Sequence, residues 1–164
     1  MARDDEFPMN TRMPPPIRRA RPDDAVACAG IVAAAFTPWI AVIGRVPGPM
    51  TDNPAARIAA GRCWVLPAGG RLGGVLVLEE KGGDLWLDTV AVMPDLAGQG
   101  LGRRLIAFAE AEAEARARGH SRLRLYTHVL MAANRRLYAR LGYSETRFFT
   151  EDGFERVEME KPLG

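Results

Sequence analysis

The sequence predicts a single α/β (α+β) domain, a mixed, mostly antiparallel central sheet of about six to seven strands flanked by helices. Three observations carry that expectation. The β-rich stretches CWVLP, LGGVLVLEE and DLWLDTVAV are separated by Gly69-Gly70 and Gly82-Gly83, the punctuation of tight hairpins. After Gly102 the apolar spacing changes to a helical period, with Leu101, Leu105 and Phe108 on one face. A strand, a helix and two further strands follow, which requires one parallel pair inside an otherwise antiparallel sheet.

Taken in order, residues 1–16 are polar and end in Pro14-Pro15-Pro16, so they read as a flexible arm, and one domain is expected over 17–164. Its first strand starts near Ile17. Pro22-Asp23-Asp24 opens a helix that the small apolar residues carry to about Phe36. The four prolines of TPWIAVIGRVPGPMTDNP then predict a loop with a short helical piece, and a second helix is expected from Pro54 to about Arg62. The three-strand meander comes next. A long helix runs from about Gly98 to Gly119, RLRLYTH alternates as a strand, and MAANRRLYARLG is a short helix closed by Gly142. YSETRFFT and FERVEMEK pair around Asp152-Gly153.

Composition excludes several function classes. A net charge of +2 with interspersed signs gives no electrostatic footprint for nucleic acid. The start, MARDDEFPMN, lacks the layout of a signal peptide and no apolar run is expected to reach membrane-spanning length, so a cytoplasmic protein without membrane contact is expected. Cys28 and Cys63 have no metal-ligand spacing and read as small buried residues, and no metal is expected.

The chemistry concentrates in LAGQGLGRRL. Gly98, Gly100 and Gly102 lie between a strand and a helix, where main-chain amides and the helix dipole make an anion site, and Arg103 and Arg104 add positive charge. The spacing is neither the G-x-G-x-x-G of dinucleotide folds nor a Walker A loop. A tight turn with solvent-facing arginines remains the alternative.

The stretch Ala97-Gly98-Gln99-Gly100-Leu101-Gly102 resembles the pyrophosphate signature of the GNAT family of N-acetyltransferases, Gln/Arg-x-x-Gly-x-Gly/Ala. Ala97 departs at the first position, which removes one polar contact. The preceding VAVMP, the following RRLIAFAEAEA and the later Asn134-x-x-x-Tyr138 with Leu141-Gly142-Tyr143 are similar to the same family. The resemblance covers residues 17–161 in element order.

It implies acetyl-CoA as cosubstrate and acetyl transfer to a primary amine of a small molecule or peptide, by direct attack in a ternary complex. It implies a bulge after which the fourth and fifth strands splay, with main-chain groups of Val90 and Val92 pairing with the pantetheine arm and the Val92 amide facing the thioester oxygen. The amides of Gly98, Gln99, Gly100, Leu101, Gly102 and Arg103 would hold the pyrophosphate, and Asn134 the pantetheine. Tyr138, one helical turn on, would protonate the departing thiolate, unless it is a core tyrosine. A lysine-like amine, with pKa ~10.4, must lose a proton before attack. Asp88 is the first candidate base and His128 the second; either can instead be a surface group, and His120 reads as surface. Trp39, Ile40, Pro49, Phe149 and Phe154 are expected around the acceptor. A homodimer is compatible with the fold, and the competing function is a noncatalytic acyl-CoA-binding or interaction module.

Overall fold

Three two-residue turns organise most of the sheet. Gly69-Gly70, Gly82-Gly83 and Asp152-Gly153 all have positive φ, from 52° to 82°, the turn geometry whose twist matches that of paired strands. The computed structural model describes residues 16–116 and 122–163. Along the chain run β1 (Arg18–Arg19), α1 (Ala25–Ile43), α2 (Pro54–Ala59), β2 (Cys63–Ala68), β3 (Arg71–Lys81), β4 (Asp84–Val92), α3 (Leu101–Arg116), β5 (Arg122–His128), α4 (Ala132–Arg140), β6 (Ser144–Glu151) and β7 (Phe154–Pro162). The sheet has seven strands in the order β1-β2-β3-β4-β5-β7-β6. Every neighbouring pair is antiparallel except β4 and β5, as the strand-helix-strand pattern requires.

The sheet separates two cores. Leu76 and Leu78 of β3 pack with Leu105 and Ile106 of α3 on one face, while Val75 and Val77 meet Cys28, Ile31 and Val32 of α1 on the other. Cys28 and Cys63 are both buried there. Two glycines of β3 are required by this packing. A Cβ on Gly74 would lie 2.9 Å from Leu105 Cδ1, and one on Gly73 would lie 2.9 Å from Ala68 Cβ.

The largest departure from the expected elements is α1, which continues past Phe36 to Ile43. Pro38 lies inside it. Proline removes one helical donor and crowds the preceding turn; the neighbouring Thr37 hydroxyl donates to the Ala33 carbonyl at 2.5 Å. The helix ends at Gly44, whose φ is 79° and whose amide closes on Ile40 O at 2.8 Å. The predicted loop from Thr37 is therefore corrected to helix as far as Ile43. With the turn before it, the helical segment Pro22–Ile43 has 22 residues and is long and apolar enough to cross a membrane, which also corrects the expectation that no apolar run reaches that length. Here it packs on the sheet. At the glycine loop, α3 begins at Leu101 rather than near Gly98. The arm to residue 15, Gly119 and His120 lie outside the described residues.

Candidate active site

One extra residue in β4 makes the cleft. Val77 of β3 stands opposite Thr89, whereas the next residue, Leu78, stands opposite Leu87, so Asp88 has no partner and forms a bulge. Before it, Leu85 and Leu87 face the α3 side; after it, Val90 and Val92 do. The side chains of Asp88 and Thr89 therefore emerge together on the α1 side, with Thr89 Oγ1 3.4 Å from Asp88 Oδ2. Pairing of β4 with β5 stops at the same place: Leu85, Trp86 and Leu87 oppose Leu123, Arg124 and Leu125, and then the strands part. Beyond that point β5 pairs with β7 and β4 with β3.

The departing β5 uncovers main chain. Met93 donates its amide to the Gly73 carbonyl at 2.9 Å. Since alternate residues of an antiparallel strand bond to opposite neighbours, the main-chain groups of Val92 and Val90 point to the side that β5 has vacated. The resulting cleft, about 350 Å³ in volume, is lined by β4 from Leu87 to Val90, β5 from Tyr126 to His128, and α4 through Asn134 and Tyr138. Phe36 and Ile43 of α1, the segment after it and the β6–β7 hairpin close the opposite end. Expected residues Asp88, Val90, His128, Asn134, Tyr138, Pro49 and Phe154 come together there.

Trp39, Ile40 and Phe149 are not in the lining, which corrects their expected place around the acceptor. On helix rather than loop, the cleft-facing positions of α1 are Phe36 and Ile43, two turns apart. Phe149 instead packs edge-on against Tyr126, with ring centroids 6.1 Å apart.

Gly98 and Gly100, with φ of 82° and 78°, turn the chain from β4 into α3. This loop lies outside the cleft lining, beyond the vacated end of β4. A Cβ on Gly98 or Gly100 would meet nothing within 4 Å, and one on Gly102 would reach only Val92 Cγ2 at 4.0 Å. Gly102 has neither a positive φ nor a neighbour in the way, so the protein's own packing does not require glycine there. The amide of Arg104 bonds to Gly100 O at 3.1 Å, which leaves the amides of Leu101, Gly102 and Arg103 as the helix's unsatisfied first donors. Small residues, open space and free donors at a helix N-terminus fit a pyrophosphate.

The titrating groups differ in state. Tyr138 is 8% exposed, its hydroxyl has no hydrogen-bond partner among the described residues, and burial pushes its phenol up to about 12. Asp88 is held above the ordinary carboxylate range by burial, against the attraction of Arg57, whose Nη2 lies 3.7 Å from Oδ2. Burial depresses the His128 imidazole, and Arg156 adds to the effect. The Leu130 amide donates to His128 Nδ1 at 3.1 Å, an arrangement that favours the neutral tautomer with its proton on Nε2.

Asp52, Arg57, Tyr126 and Arg156 also line the cleft and were not singled out from sequence. The alternation in RLRLYTH and FERVEMEK does place Tyr126 and Arg156 on polar strand faces; nothing local marks Asp52 or Arg57.

A strand pair split at a bulge, with an amide-lined helix start beside the gap, defines an acyltransferase fold. The sequence profile described as the acetyltransferase (GNAT) family matches residues 28–143, and the chain belongs to that family. No curated protein matches it in sequence. Similar solved structures include the PaiA N-acetyltransferase of Thermoplasma acidophilum in complex with coenzyme A, at 16% identity and a TM-score of 0.75, covering 90% of this chain and 98% of that one. The ribosomal-protein-S18-alanine N-acetyltransferase of Escherichia coli is 24% identical with a TM-score of 0.68, covering 90% and 93%. Ard1 of Thermoplasma volcanium is 15% identical with a TM-score of 0.73, covering 90% and 97%. At these identities the likeness concerns the fold.

Proposed function

We propose that the protein is an acetyl-CoA-dependent N-acetyltransferase that acts on a primary amine by direct attack in a ternary complex. The observation that carries this reading is the parting of β4 and β5 at the Asp88 bulge, which aims unpaired main chain into a cleft containing Asn134 and Tyr138. Acetyl-CoA, when bound, supplies an acetyl group activated as a thioester. Main-chain groups of Val90 and Val92 pair with the pantetheine arm, Asn134 bonds to it, and the Val92 amide polarises the thioester oxygen. The amides from Gly98 through Gln99, Gly100, Leu101 and Gly102 to Arg103 hold the pyrophosphate.

Asp88 takes the proton of the ammonium directly or through one water. Its raised pKa narrows the gap to an alkylamine, which makes it a better base than an ordinary carboxylate. Tyr138 donates its hydroxyl proton to the departing sulfur. With a pKa of about 12 against ~8.5 for an ordinary thiol, that transfer is uphill. Tyr138 therefore acts as a hydrogen-bond donor that completes its transfer as the C–S bond breaks; the second proton that the attacking nitrogen sheds on becoming an amide then reprotonates the phenolate, so the products are the amide and the free thiol.

Calorimetry with acetyl-CoA, followed by a screen of amines with mass detection of the acetylated product, tests the proposal. Cofactor binding with acetylated amine is the expected result. Binding without transfer to any amine would leave a noncatalytic acyl-CoA-binding module, and no binding would remove the cofactor from the reading.

A further inference from the structure

Two arginines line the acceptor end of the cleft, and their donors are used very differently. Arg57 is held by three carboxylates: Nε donates to Asp52 Oδ2 at 3.1 Å, Nη1 donates to Glu79 Oε2 at 3.2 Å, and Nη2 faces Asp88. The Arg156 guanidinium makes no hydrogen bond to any described residue. Among them its one ion pair is Nη1 with Glu151 Oε1 at 3.4 Å; the Glu151 side chain is 55% exposed and that of Arg156 only 13%. A guanidinium has five donors; those of Arg156 that no side chain takes are open to the cleft, where a ligand acceptor can replace water.

The surroundings hold Arg156 ready. Its guanidinium carbon lies 4.7 Å from the Tyr126 ring centroid and 5.1 Å from that of Phe154, so two rings position it. Nη2 approaches the segment after α1, lying 3.5 Å from where a Cβ on Gly48 would stand. Tyr126 lies between the two ends of the acceptor region: burial raises its phenol pKa, the charge of Asp88 raises it further, and that of Arg156 lowers it. Both groups line the same cleft, whose volume suits a small molecule.

We propose that Arg156 is the specificity-determining residue for an acceptor that carries a carboxylate a few bonds from its amine, as an amino acid does. The inference rests on the acetyl-transfer reading above. The amine goes to Asp88 and the carboxylate to the open edge of Arg156, where planar bidentate pairing is available. The exposed Glu151 competes for the same guanidinium and swings aside. A diamine would set its second cation against Arg156.

The test compares an amino acid with its carboxamide and with a diamine of equal length. Binding is measured by calorimetry with and without saturating CoA, and acetylation by steady-state kinetics. The acid should bind about 10-fold or more tightly than the amide, the range expected of a charged hydrogen bond. In Arg156→Gln that preference should fall to within about 2-fold through a raised KM for the acid, and Arg156→Lys should restore part of it. Glu151→Gln should move the acid's KM the other way. Equal binding of acid and amide by the parent, no binding of either, a preference for the diamine, or an equal loss for acid and amide in Arg156→Gln would each overturn the assignment. Because the binding ratio does not depend on turnover, failure of acetyl transfer on every amine would instead remove the proposed activity.

Discussion

The two walls of the cleft are made of different material. On the cofactor side the groups on offer are main chain: the free edge of β4 at Val90 and Val92, and, beyond the cleft, the first amides of α3. On the acceptor side they are ionisable side chains, Asp52, Arg57, Asp88, Glu151 and Arg156, with the neutral imidazole of His128. Main chain cannot be mutated away and presents the same donors whatever side chains surround it, which suits a cofactor of fixed shape. Charged side chains are exchangeable one at a time, which suits a substrate that differs between proteins on the same scaffold. The comparison predicts that acceptor-side changes alter rate and specificity, while cofactor-side changes alter affinity.

Tyr138 sits on the seam between the walls, and its replacement should have the largest effect. Tyr138→Phe should leave acetyl-CoA affinity unchanged and lower kcat by roughly 10²-fold or more, as expected for loss of a positioned acid. Because the phenol titrates at about 12, no part of the parent pH profile between neutral pH and about pH 10 should belong to it. Removing a hydroxyl that opens on the cleft and has no partner among the described residues should leave the melting temperature nearly unchanged. A variant within a factor of two of the parent, with chemistry rate-limiting, would make Tyr138 a core residue.

Asp88 comes next and belongs wholly to the acceptor wall. Asp88→Asn should lower turnover by roughly 10²-fold at neutral pH, with the deficit shrinking as alkali deprotonates the amine unaided. Superimposable pH-rate profiles for parent and variant would take Asp88 out of the mechanism. The same substitution should change stability in the opposite sense. Burial raises the folded-state pKa, so as pH rises the unfolded chain loses this proton first, and ionised Asp88 lowers stability above its folded pKa. Asn should therefore raise the melting temperature at neutral pH by a few degrees, about 2–4 °C per kcal/mol gained. The gain should vanish below the ordinary carboxylate range. A melting temperature unchanged by the variant at every pH would mean that Asp88 is fully compensated by Arg57.

The two walls were also unequally legible in the sequence. The three two-residue turns, the element order and the glycine loop are local signals, since a turn or helix start is specified within about six residues, and so each could be read directly. Asn134 and Tyr138 were readable as a pair because one helical turn fixes their relative direction. The bulge was expected only through the family resemblance; its place was not legible, because nothing in DLWLDTVAV marks one residue as extra and only the partner strand reveals that it is Asp88. Pro38 misled the reading of α1: a proline signals a helix end, but the chain continues the helix and carries Trp39 and Ile40 away from the cleft. Arg57 and Arg156 are separated by 99 positions and meet only in the folded cleft. The acceptor wall was least visible because it is assembled from side chains on many elements, each unremarkable in its own segment.

The smallest effect expected is the one that best separates a ligand cradle from a tight turn, and it is at Gly102. Gly98 and Gly100 need glycine for their positive φ, so replacing them mixes backbone strain with any change in binding. Gly74 needs it for packing, since a Cβ there would press on Leu105 Cδ1 at 2.9 Å and Leu66 Cβ at 3.3 Å. Gly102 has neither requirement, because its Cβ would meet only Val92 at 4.0 Å. As a helix residue, alanine is favoured over glycine by roughly 0.5–1 kcal/mol. Gly102→Ala should therefore raise the melting temperature slightly. It should also weaken acetyl-CoA about fivefold, the consequence of about 1 kcal/mol of crowding where the pyrophosphate approaches. Gly74→Ala provides the contrast: it should cost about 1–3 kcal/mol of stability and leave the affinity of the folded fraction unchanged. If Gly102→Ala stabilises the fold and binds acetyl-CoA as tightly as the parent, the glycines are a turn device, and the anion must be held by Arg103 and Arg104 rather than by the helix start.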